Sequence, residues 1–385
     1  IQLTPEINIL LTRKKHLRQR FGITRYQVTK TALNWVTRTI KKKIKKLSND
    51  NWQDTINECN DNIMKLWRIS RALTNNPIEN GAKIIHGSTG VQYEPDDQAN
   101  TIADTLELQF QPNAIAVVDL EEEIQTFTDD YLANIRPNMQ FELKTTPAKL
   151  KDLITRLNTR KACGPDGISG LMLKNMNRKA LVHLTHIYNK CFHLNHFPTP
   201  WKTAKIITIP KTGQNPRFPQ NRRPISLLSI LSKIYERLLL KEVKDHITTH
   251  RIIPLTQFGF TPDHNTTLQP SRLIDTITTS FSNTAYTLGV FLDIEKAFDK
   301  TWHEGLIYKL IKYDFPPQLV KIIACFLNNR KFRVNHNGGE SSTRHIQAGV
   351  PQGSVLAPIL YNIYTSDIPT SAQVNLALYA DDTAI

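Results

Sequence analysis

The sequence lacks the features that would assign it to a secreted or a membrane class. No apolar run approaches the ~18 residues of a membrane-spanning helix, and the first residues do not follow the pattern of a secretory signal peptide. The cysteines are few and show no paired spacing: they are Cys59, Cys163, Cys191 and Cys325. We therefore expect an intracellular protein without disulfides and without a membrane partner.

Negative charge is also scarce, since 49 Lys and Arg outnumber 34 Asp and Glu and leave a net charge of +15. The excess is uneven: residues 1–50 hold 13 basic and 2 acidic side chains, whereas residues 51–130 hold 4 and 15. A basic chain suits a polyanionic partner, because neutralising phosphates releases condensed counterions. Composition thus favours nucleic acid, although a basic protein with a solvated surface has the same composition.

Residues 29–47 have the periodicity of an amphipathic helix. Apolar side chains recur at steps of three and four, at Leu33, Val36, Ile40, Ile44 and Leu47. The opposite face is basic and carries Arg38, Lys41, Lys42, Lys43, Lys45 and Lys46. Such a face is typical either of a helix lying on RNA or DNA phosphates or of an ordinary solvated surface, and the sequence does not separate the two.

Turn-forming residues and charge divide the chain. Residues 74–100 are rich in Asn, Gly and Pro and predict a loop and a hairpin. The acidic run at 119–123 indicates a solvated segment near a linker. We therefore place a domain boundary within 115–145, with a helical and loop-containing N-terminal extension at 1–144 and a second domain at 145–385.

The second domain alternates helical and strand patterns. Thr146 is suited to cap a helix that starts at Pro147. Further helices are predicted at 227–246, 266–281, 303–313 and 316–328, and strands at Ala204–Ile209, Tyr286–Leu292 and Val374–Tyr379. This mixture predicts an α+β fold in which helices pack on a sheet.

Three acidic residues follow apolar, strand-like runs. Asp293 follows the run that ends at Leu292, and Asp381 and Asp382 follow a second run with Ala380 as a turn residue. Clustered carboxylates repel one another unless a cation compensates them. Two hard divalent ions shared by the three carboxylates would do so, and oxygen-only ligands favour Mg²⁺. Taken alone, however, an Asp-Asp pair is more typical of a surface turn.

Seven segments, in order, resemble the motifs of reverse transcriptases. They are Gly164-Pro-Asp-Gly-Ile168, Ile209-Pro-Lys211, Arg223-Pro-Ile-Ser-Leu-Leu228, Gln257-Phe-Gly-Phe260, Phe291-Leu-Asp-Ile-Glu-Lys-Ala-Phe-Asp-Lys300, Gly349-Val-Pro-Gln-Gly-Ser-Val-Leu-Ala-Pro358 and Tyr379-Ala-Asp-Asp382. They look most like those of non-long-terminal-repeat (LINE-type) retrotransposons, the jockey-like group in particular. The resemblance covers 145–385 strongly, and Lys65-Leu-Trp-Arg68 extends it weakly into the N-terminal part.

The resemblance implies the fingers and palm of a right-hand polymerase and RNA-directed DNA synthesis by two-metal chemistry. Asp293, Asp381 and Asp382 match the family's metal-binding aspartates, which hold two Mg²⁺ ions or Mn²⁺ in their place. The implied partners are an RNA template, a DNA primer and deoxynucleoside triphosphates (dNTPs). The implied location is the nucleus and cytoplasm, as a ribonucleoprotein, and the oligomeric state is left open.

Four further residues match nucleotide-binding positions of the family. Lys211 and Arg223 match the cations that bind the incoming triphosphate, and Gln352 matches a glutamine near the nascent base pair. Phe298, five residues after Asp293, matches the gate that leaves no room for a ribose 2′-hydroxyl. The resemblance therefore implies that this chain selects deoxynucleotides.

Some positions depart from the family pattern. Thr261 stands where the group usually has Arg, and Arg222 where it usually has an aromatic residue, which puts template contacts in question. Asp299 is interpreted as a structural residue that caps the helix beginning near Trp302.

The resemblance also implies further regions and leaves alternatives. A thumb is expected after Ile385 and an endonuclease before Ile1, so this segment alone is expected to hold primer and template poorly. One alternative is a group II intron maturase or a viral RNA-dependent polymerase, against which the Ala-Phe-Asp segment and Leu227–Glu236 speak. The other is a catalytically inactive nucleic-acid-binding relic of a retrotransposon polyprotein.

Overall fold

The protein divides into two compact units, Ile1–Glu79 and Asn80–Ile385. The structure is a computed structural model that describes residues 4–59, 84–88, 90–113, 118–135, 143–369 and 374–385. The division differs from the boundary that the sequence predicts at 144/145. The physical reason is that the segment starting at Ile85 packs on strands of the second unit, as described below.

Two helices, α1 (Pro5–Thr24) and α2 (Gln27–Cys59), form the described part of the first unit. They contact each other, and Val36 and Ile40 of α2 are buried. Ile44 is 37% exposed, so the predicted apolar stripe is confirmed only at its centre. The lysines of the basic face are exposed, and Lys43 pairs with Glu6 of α1. The segment 65–68 lies outside the described residues.

The second unit begins with a hairpin, β1 (Ile85–Gly87) and β2 (Gly90–Gln92), followed by helix α3 (Pro95–Gln109). The predicted hairpin is confirmed, but the predicted loop is wrong from residue 95 onward. Proline in the first turn and two acidic residues beside it favour a helix start there. The buried face of α3 carries Ala99, Ile102, Ala103 and Leu106.

Four helices follow: α4 (Val118–Ala133), α5 (Pro147–Thr155), α6 (Gly170–Lys174) and α7 (Arg178–His193). The acidic run expected to be a solvated segment lies at the start of α4. The predicted helix at Pro147 is confirmed, and the Thr146 side chain accepts a hydrogen bond from the Lys149 amide, as expected of a cap.

A five-stranded sheet forms one layer of the second unit. Its strands are β3 (Thr203–Pro210), β4 (Arg222–Leu227), β6 (Arg330–His336), β7 (Gly339–Glu340) and β8 (Arg344–Ile346). The order is β4-β3-β6-β7, and β8 also pairs with β6. Only the β3–β6 pair is parallel. The apolar face of α3 packs on this sheet in a common cluster with Ala204, Ile206, Phe332 and Val334.

The larger core lies among helices. Besides α5 and α7 it includes α8 (Ile230–His250), α10 (His303–Lys312), α11 (Pro317–Leu327) and α12 (Ala357–Tyr364). Helix α9 (Leu268–Ser282) is mostly exposed. These helices agree with the predicted ones to within a few residues. No described helix combines the length and the apolar character that crossing a bilayer requires.

A second, three-stranded sheet has the order β5-β10-β9, with β5 (Phe291–Leu292), β9 (Ala377–Tyr379) and β10 (Asp382–Ala384). All of its pairs are antiparallel. The predicted strands at 286–292 and 374–379 are therefore present in shortened form. Strand β5 is more exposed than its apolar residues predict, since Phe291 is 74% exposed. The mixed helix-and-sheet class is confirmed.

One buried carboxylate joins α8 to α12. Glu236 is fully buried and accepts hydrogen bonds from the Ser354 hydroxyl (2.6 Å), the Val355 amide (2.6 Å) and the Leu356 amide (3.3 Å). Its negative charge also stabilises the fully buried guanidinium of Arg330, whose pKa is lowered by burial to about 10. A carboxylate here supplies only acceptors, which is what two unpaired amides at a helix N-terminus require.

We expect Glu236→Gln to lower the free energy of unfolding by roughly 3–5 kcal/mol. The substitution would replace one of the two acceptor oxygens by a donor and leave Arg330 without a counter-charge. Urea unfolding monitored by circular dichroism measures the change. Asp245→Asn, an exposed position on the same helix, should change stability by less than about 0.5 kcal/mol. Equal effects of the two substitutions would contradict this account.

Candidate functional site

A cavity of about 590 Å³ opens where the five-stranded and the three-stranded sheets meet the loop before α12. It is lined by side chains of both charge signs, together with glycine and aromatic residues. They include Gln109, Lys211, Arg222, Arg223, Phe260, Asp293, Lys296, Phe298, Asp299, Gln352, Ser354 and Asp381. Six of the seven residues that the sequence singles out therefore share one cavity; Asp382 is the exception.

Strand pairing brings two of the predicted acids together. Asp293 follows β5 directly, and Asp381 lies in the turn between β9 and β10. Because Leu292 pairs with Thr383, both acids lie at the same end of the sheet. The pKa of Asp381 is raised, mainly by burial and further by repulsion from Asp382 and Asp293. These carboxylates thus face the cavity without full compensation of their charge.

The turn that carries Asp381 is held by a neighbouring segment. Ala380 has the left-handed φ of 59°, which is unfavourable for a residue with a Cβ. The Gln257 side chain accepts from the Ala380 amide (2.9 Å) and donates to its carbonyl (3.2 Å). A Cβ on Gly259 would lie 2.1 Å from the Ala380 nitrogen, so only glycine allows this approach. The motif Gln257–Phe260 therefore positions Asp381 by holding the backbone of the turn.

Asp382 has a different environment from the other two acids. It begins β10, pairs with Tyr379 and is exposed. In the parts of the chain that the structure describes, no three His, Cys, Asp or Glu side chains lie close enough to hold one metal ion. Asp293 and Asp381 alone still fit Mg²⁺, which commonly takes one or two protein carboxylates and completes its shell with water and substrate phosphate.

Phe298 lies against the wall of the cavity on a short 3₁₀ helix, Ala297–Asp299. Its ring stacks on Tyr361 of α12, with centroids 4.6 Å apart and an interplanar angle of 19°. The Phe260 ring packs edge-on against the Phe298 ring, with centroids 5.8 Å apart. Packing from two sides fixes the half-buried ring, so its position in the cavity is set by α12 and by the segment that holds the Asp381 turn.

The loop that carries Gln352 is tied to both neighbouring segments by its backbone. The Gly349 amide donates to the Thr301 carbonyl (2.7 Å), and the Val350 amide to the Phe298 carbonyl (2.7 Å). On the other side, the Gln352 carbonyl accepts from the Ser226 amide of β4 (3.0 Å). The loop therefore fixes β4 relative to the segment that carries Phe298.

Asp299 does not cap the helix that begins at His303, whose cap position is Trp302, so the predicted capping role is wrong. Its buried carboxylate accepts from the Gln109 side-chain amide (2.7 Å) and from the Gln352 amide (3.0 and 3.1 Å). Burial raises its pKa to about 6, and the two hydrogen bonds oppose that rise. Sequence reasoning missed Gln109, since no local pattern links it to a residue 190 positions later.

The predicted cations line the side of the cavity formed by β3 and β4. Arg223 is exposed and Lys211 half-buried. Arg222, in contrast, is buried and donates to the Thr208 hydroxyl (2.8 Å) and the Pro216 carbonyl (2.9 Å). Arg222 therefore braces the β3–β4 connection that presents the two cations.

The motif at Gly164–Ile168 lies outside the cavity. Asp166 accepts from the hydroxyl of Ser229, the residue that caps α8. A Cβ on Gly164 would lie 2.5 Å from the Ser229 nitrogen, so the glycine permits this contact. The motif thus supports α8, which in turn supplies Glu236.

The carboxyl group of Asp299 should make stability depend on pH. Its pKa is raised from 3.8 to about 6 in the folded protein, so the protonated form is favoured there. Its contribution to stability is complete below about pH 4 and is lost as pH rises through 6. We expect the free energy of unfolding of the wild type, minus that of Asp299→Asn, to fall by on the order of 2–3 kcal/mol between pH 4 and 7. Urea unfolding at each pH measures this, and a constant difference would contradict it.

Relatives of known kind match this chain. Residues 209–385 match the family model described as "Reverse transcriptase (RNA-dependent DNA polymerase)". The whole chain is 34% identical to "RNA-directed DNA polymerase from mobile element jockey" of Drosophila melanogaster and covers 43% of that protein. It is 31% identical to "Probable RNA-directed DNA polymerase from transposon BS" and 32% identical to that from transposon X-element, both of the same organism.

The matches to those three relatives include all of this chain, so they extend beyond the 209–385 segment into both compact units. The chain spans 43% of the length of each of them. The motifs, the cavity that most of them line and the whole-chain similarity agree with one another. Residues 209–385 therefore form a reverse transcriptase domain, and the whole chain is similar to the polymerases of non-long-terminal-repeat retrotransposons such as jockey.

Proposed function

We propose that the chain is the catalytic part of an RNA-directed DNA polymerase that transfers deoxynucleotides to a primer 3′-hydroxyl. The observation that carries the proposal is the single cavity shared by two uncompensated carboxylates, Asp293 and Asp381, and two cations, Lys211 and Arg223. This combination suits phosphoryl transfer, in which most of the protein's work is to position charged groups. The names of the relatives support the same activity.

The carboxylates would hold the divalent ions. Their oxygen-only donor set suits Mg²⁺, or Mn²⁺ in its place, and we propose two ions with Asp382 as a further ligand. When bound, such ions lower the pKa of the primer hydroxyl and neutralise charge on the transferring phosphoryl group. The chain's own contribution is to keep Asp293 and Asp381 adjacent, which the β5–β10 pairing and the Gln257 contacts to Ala380 do.

The cationic side of the cavity would bind the triphosphate of the incoming nucleotide. The guanidinium of Arg223 can make bidentate contacts with phosphate, and Lys211 can act as a point charge. Lys211 follows β3 and Arg223 lies in β4, and we assign this strand pair to the fingers. The three-stranded sheet with Asp293 and Asp381 would be the palm, and residues 1–144 the N-terminal extension.

Phe298 would select the sugar. Its ring lines the cavity and is backed by Tyr361, so it cannot retreat when a larger sugar enters. A ribose 2′-hydroxyl would then collide with the ring, whereas a deoxyribose would not. This steric exclusion supports DNA synthesis over RNA synthesis.

RNA-templated primer extension tests the proposal. The complete open reading frame that encodes this chain should extend a DNA primer on an RNA template, and only with a divalent ion present. Asp381→Asn should lower the rate about a thousandfold, because it removes a charge that faces the reacting phosphate. Asp152→Asn, an exposed residue paired with Arg156 outside the cavity, should leave the rate unchanged.

Two outcomes would overturn the assignment. Extension that survives Asp381→Asn would show that the carboxylates do not serve the reaction. Template binding without any extension by the wild type would favour the nucleic-acid-binding relic, to which the departures at Arg222 and Thr261 belong more naturally.

Truncation of the gate should relax sugar selection. We expect Phe298→Ala to lower the preference for dNTPs over ribonucleotides by roughly tenfold or more, because the excluded 2′-hydroxyl gains room. Single-nucleotide incorporation with each nucleotide class measures the ratio of kcat/KM values. Phe127→Ala removes an aromatic ring that contacts Tyr308 outside the cavity and should leave the ratio unchanged. An unaltered ratio for Phe298→Ala would refute the gate.

A further inference from the structure

Helix α3 reaches the catalytic cavity although it precedes the segment that matches the family model. Gln109, its last residue, is buried, lines the cavity and donates a 2.7 Å hydrogen bond to the Asp299 carboxylate. Charge-assisted hydrogen bonds of this length are among the stronger ones in proteins. A residue from a separate part of the chain is thus built into the wall of the site.

The end of α3 is held in place next to Gln352. The Phe110 carbonyl accepts from the amides of both Gln347 (3.0 Å) and Ala348 (2.8 Å), which open the Gln352 loop. The Phe110 ring also meets Phe332 of β6 edge-on at 5.3 Å. The position of Gln109 relative to that loop is therefore fixed by backbone as well as side-chain contacts.

Asp299 transmits this position to Gln352. As an acceptor, its carboxylate takes the Nε2 group of Gln109 and the Nε2 group of Gln352 at once. An amide side chain whose NH₂ group is engaged in this way leaves its carbonyl oxygen for other partners. The orientation of Gln352 in the cavity is therefore decided by Asp299, and that of Asp299 by Gln109.

We propose that Gln109 is a positioning residue for the incoming nucleotide. Through Asp299 it turns the Gln352 amide so that the carbonyl oxygen, and not the NH₂ group, is offered to a hydrogen-bond donor of the nucleotide. The inference rests on the proposed function, since it assigns the nucleotide to this cavity. It makes helix α3 part of the nucleotide site and not only a cover for the sheet.

Helix α3 offers a matched control in a second buried glutamine. Gln98 donates to the Tyr93 carbonyl (2.8 Å) and accepts from Asn337 (2.9 Å), and it does not line the cavity. Methionine has nearly the volume of glutamine but cannot donate a hydrogen bond. Gln109→Met and Gln98→Met therefore each remove a buried amide from the same helix, and only the first removes the contact to Asp299.

The test measures nucleotide binding without chemistry. The complete protein is bound to an RNA template and a dideoxy-terminated DNA primer with Mg²⁺, and the Kd of the next complementary dNTP is determined. We expect Gln109→Met to raise this Kd about tenfold, the loss of one charge-assisted hydrogen bond. Gln98→Met should leave the Kd unchanged, although it should lower the Tm at least as much as Gln109→Met does.

A second variant supplies a signature that loss of stability cannot imitate. Gln109→Glu sets two carboxyl groups against each other, and such a pair keeps a proton between them at higher pH than one carboxyl does. We expect its dNTP affinity to recover as pH is lowered from 8 to 6, relative to the wild type.

The outcomes separate this inference from the proposed function. Tight dNTP binding by the wild type without incorporation on an extendable primer would refute catalysis. The positioning role would then still be tested by the Kd values of the wild type, Gln109→Met and Gln98→Met. Equal Kd values for the wild type and Gln109→Met, equal effects of the two methionine variants, or no dNTP binding by the wild type would each overturn the positioning role.

Discussion

Repulsion between two carboxylates is the constraint on which the site depends. The pairing of β5 with β10 brings Asp293 and Asp381 to one end of a small sheet, and partial burial makes the charge of Asp381 costly. Short strands alone would not hold such a pair. The turn is therefore fixed from outside by the Gln257 side chain, and the close approach of Gly259 leaves the turn little room to move.

Three acidic residues of this chain show how surroundings decide what a carboxyl group does. Glu236 is surrounded by donors and serves as a structural acceptor between helices. Asp299 has two amide donors and acts as a junction in the cavity wall. Asp381 has a backbone donor but also two like-charged neighbours, Asp382 and Asp293, which is the arrangement that attracts cations. The three acids thus differ in their partners as well as in their burial, since Glu236 and Asp299 are buried and Asp381 is half-buried.

The sequence predicts local features of this fold well and distant contacts poorly. The cap at Thr146 and the helices from α8 to α11 follow periodicity and capping, both of which are local. Strand β5 is shorter than its apolar run predicts, because the residues before it are exposed, Tyr286 and Leu288 among them, and are not packed in a core. Most predicted site residues share a cavity, but Gln109 could not be predicted, since its role depends on a contact spanning 190 residues. The same applies to Gln257, whose partner is a backbone turn and not a side chain.

The packing of α3 on β6 has a consequence for biosynthesis. The helix leaves the ribosome long before Arg330, where β6 begins, and roughly 220 residues at about 5–20 residues per second amount to some ten to forty seconds. Throughout that interval Ile102 and Leu106 lack Phe332 and Val334 of β6, which share their apolar cluster. A nascent chain therefore exposes part of the apolar face of α3. The yield of folded protein in a cell should then depend on chaperones that shield this face during translation.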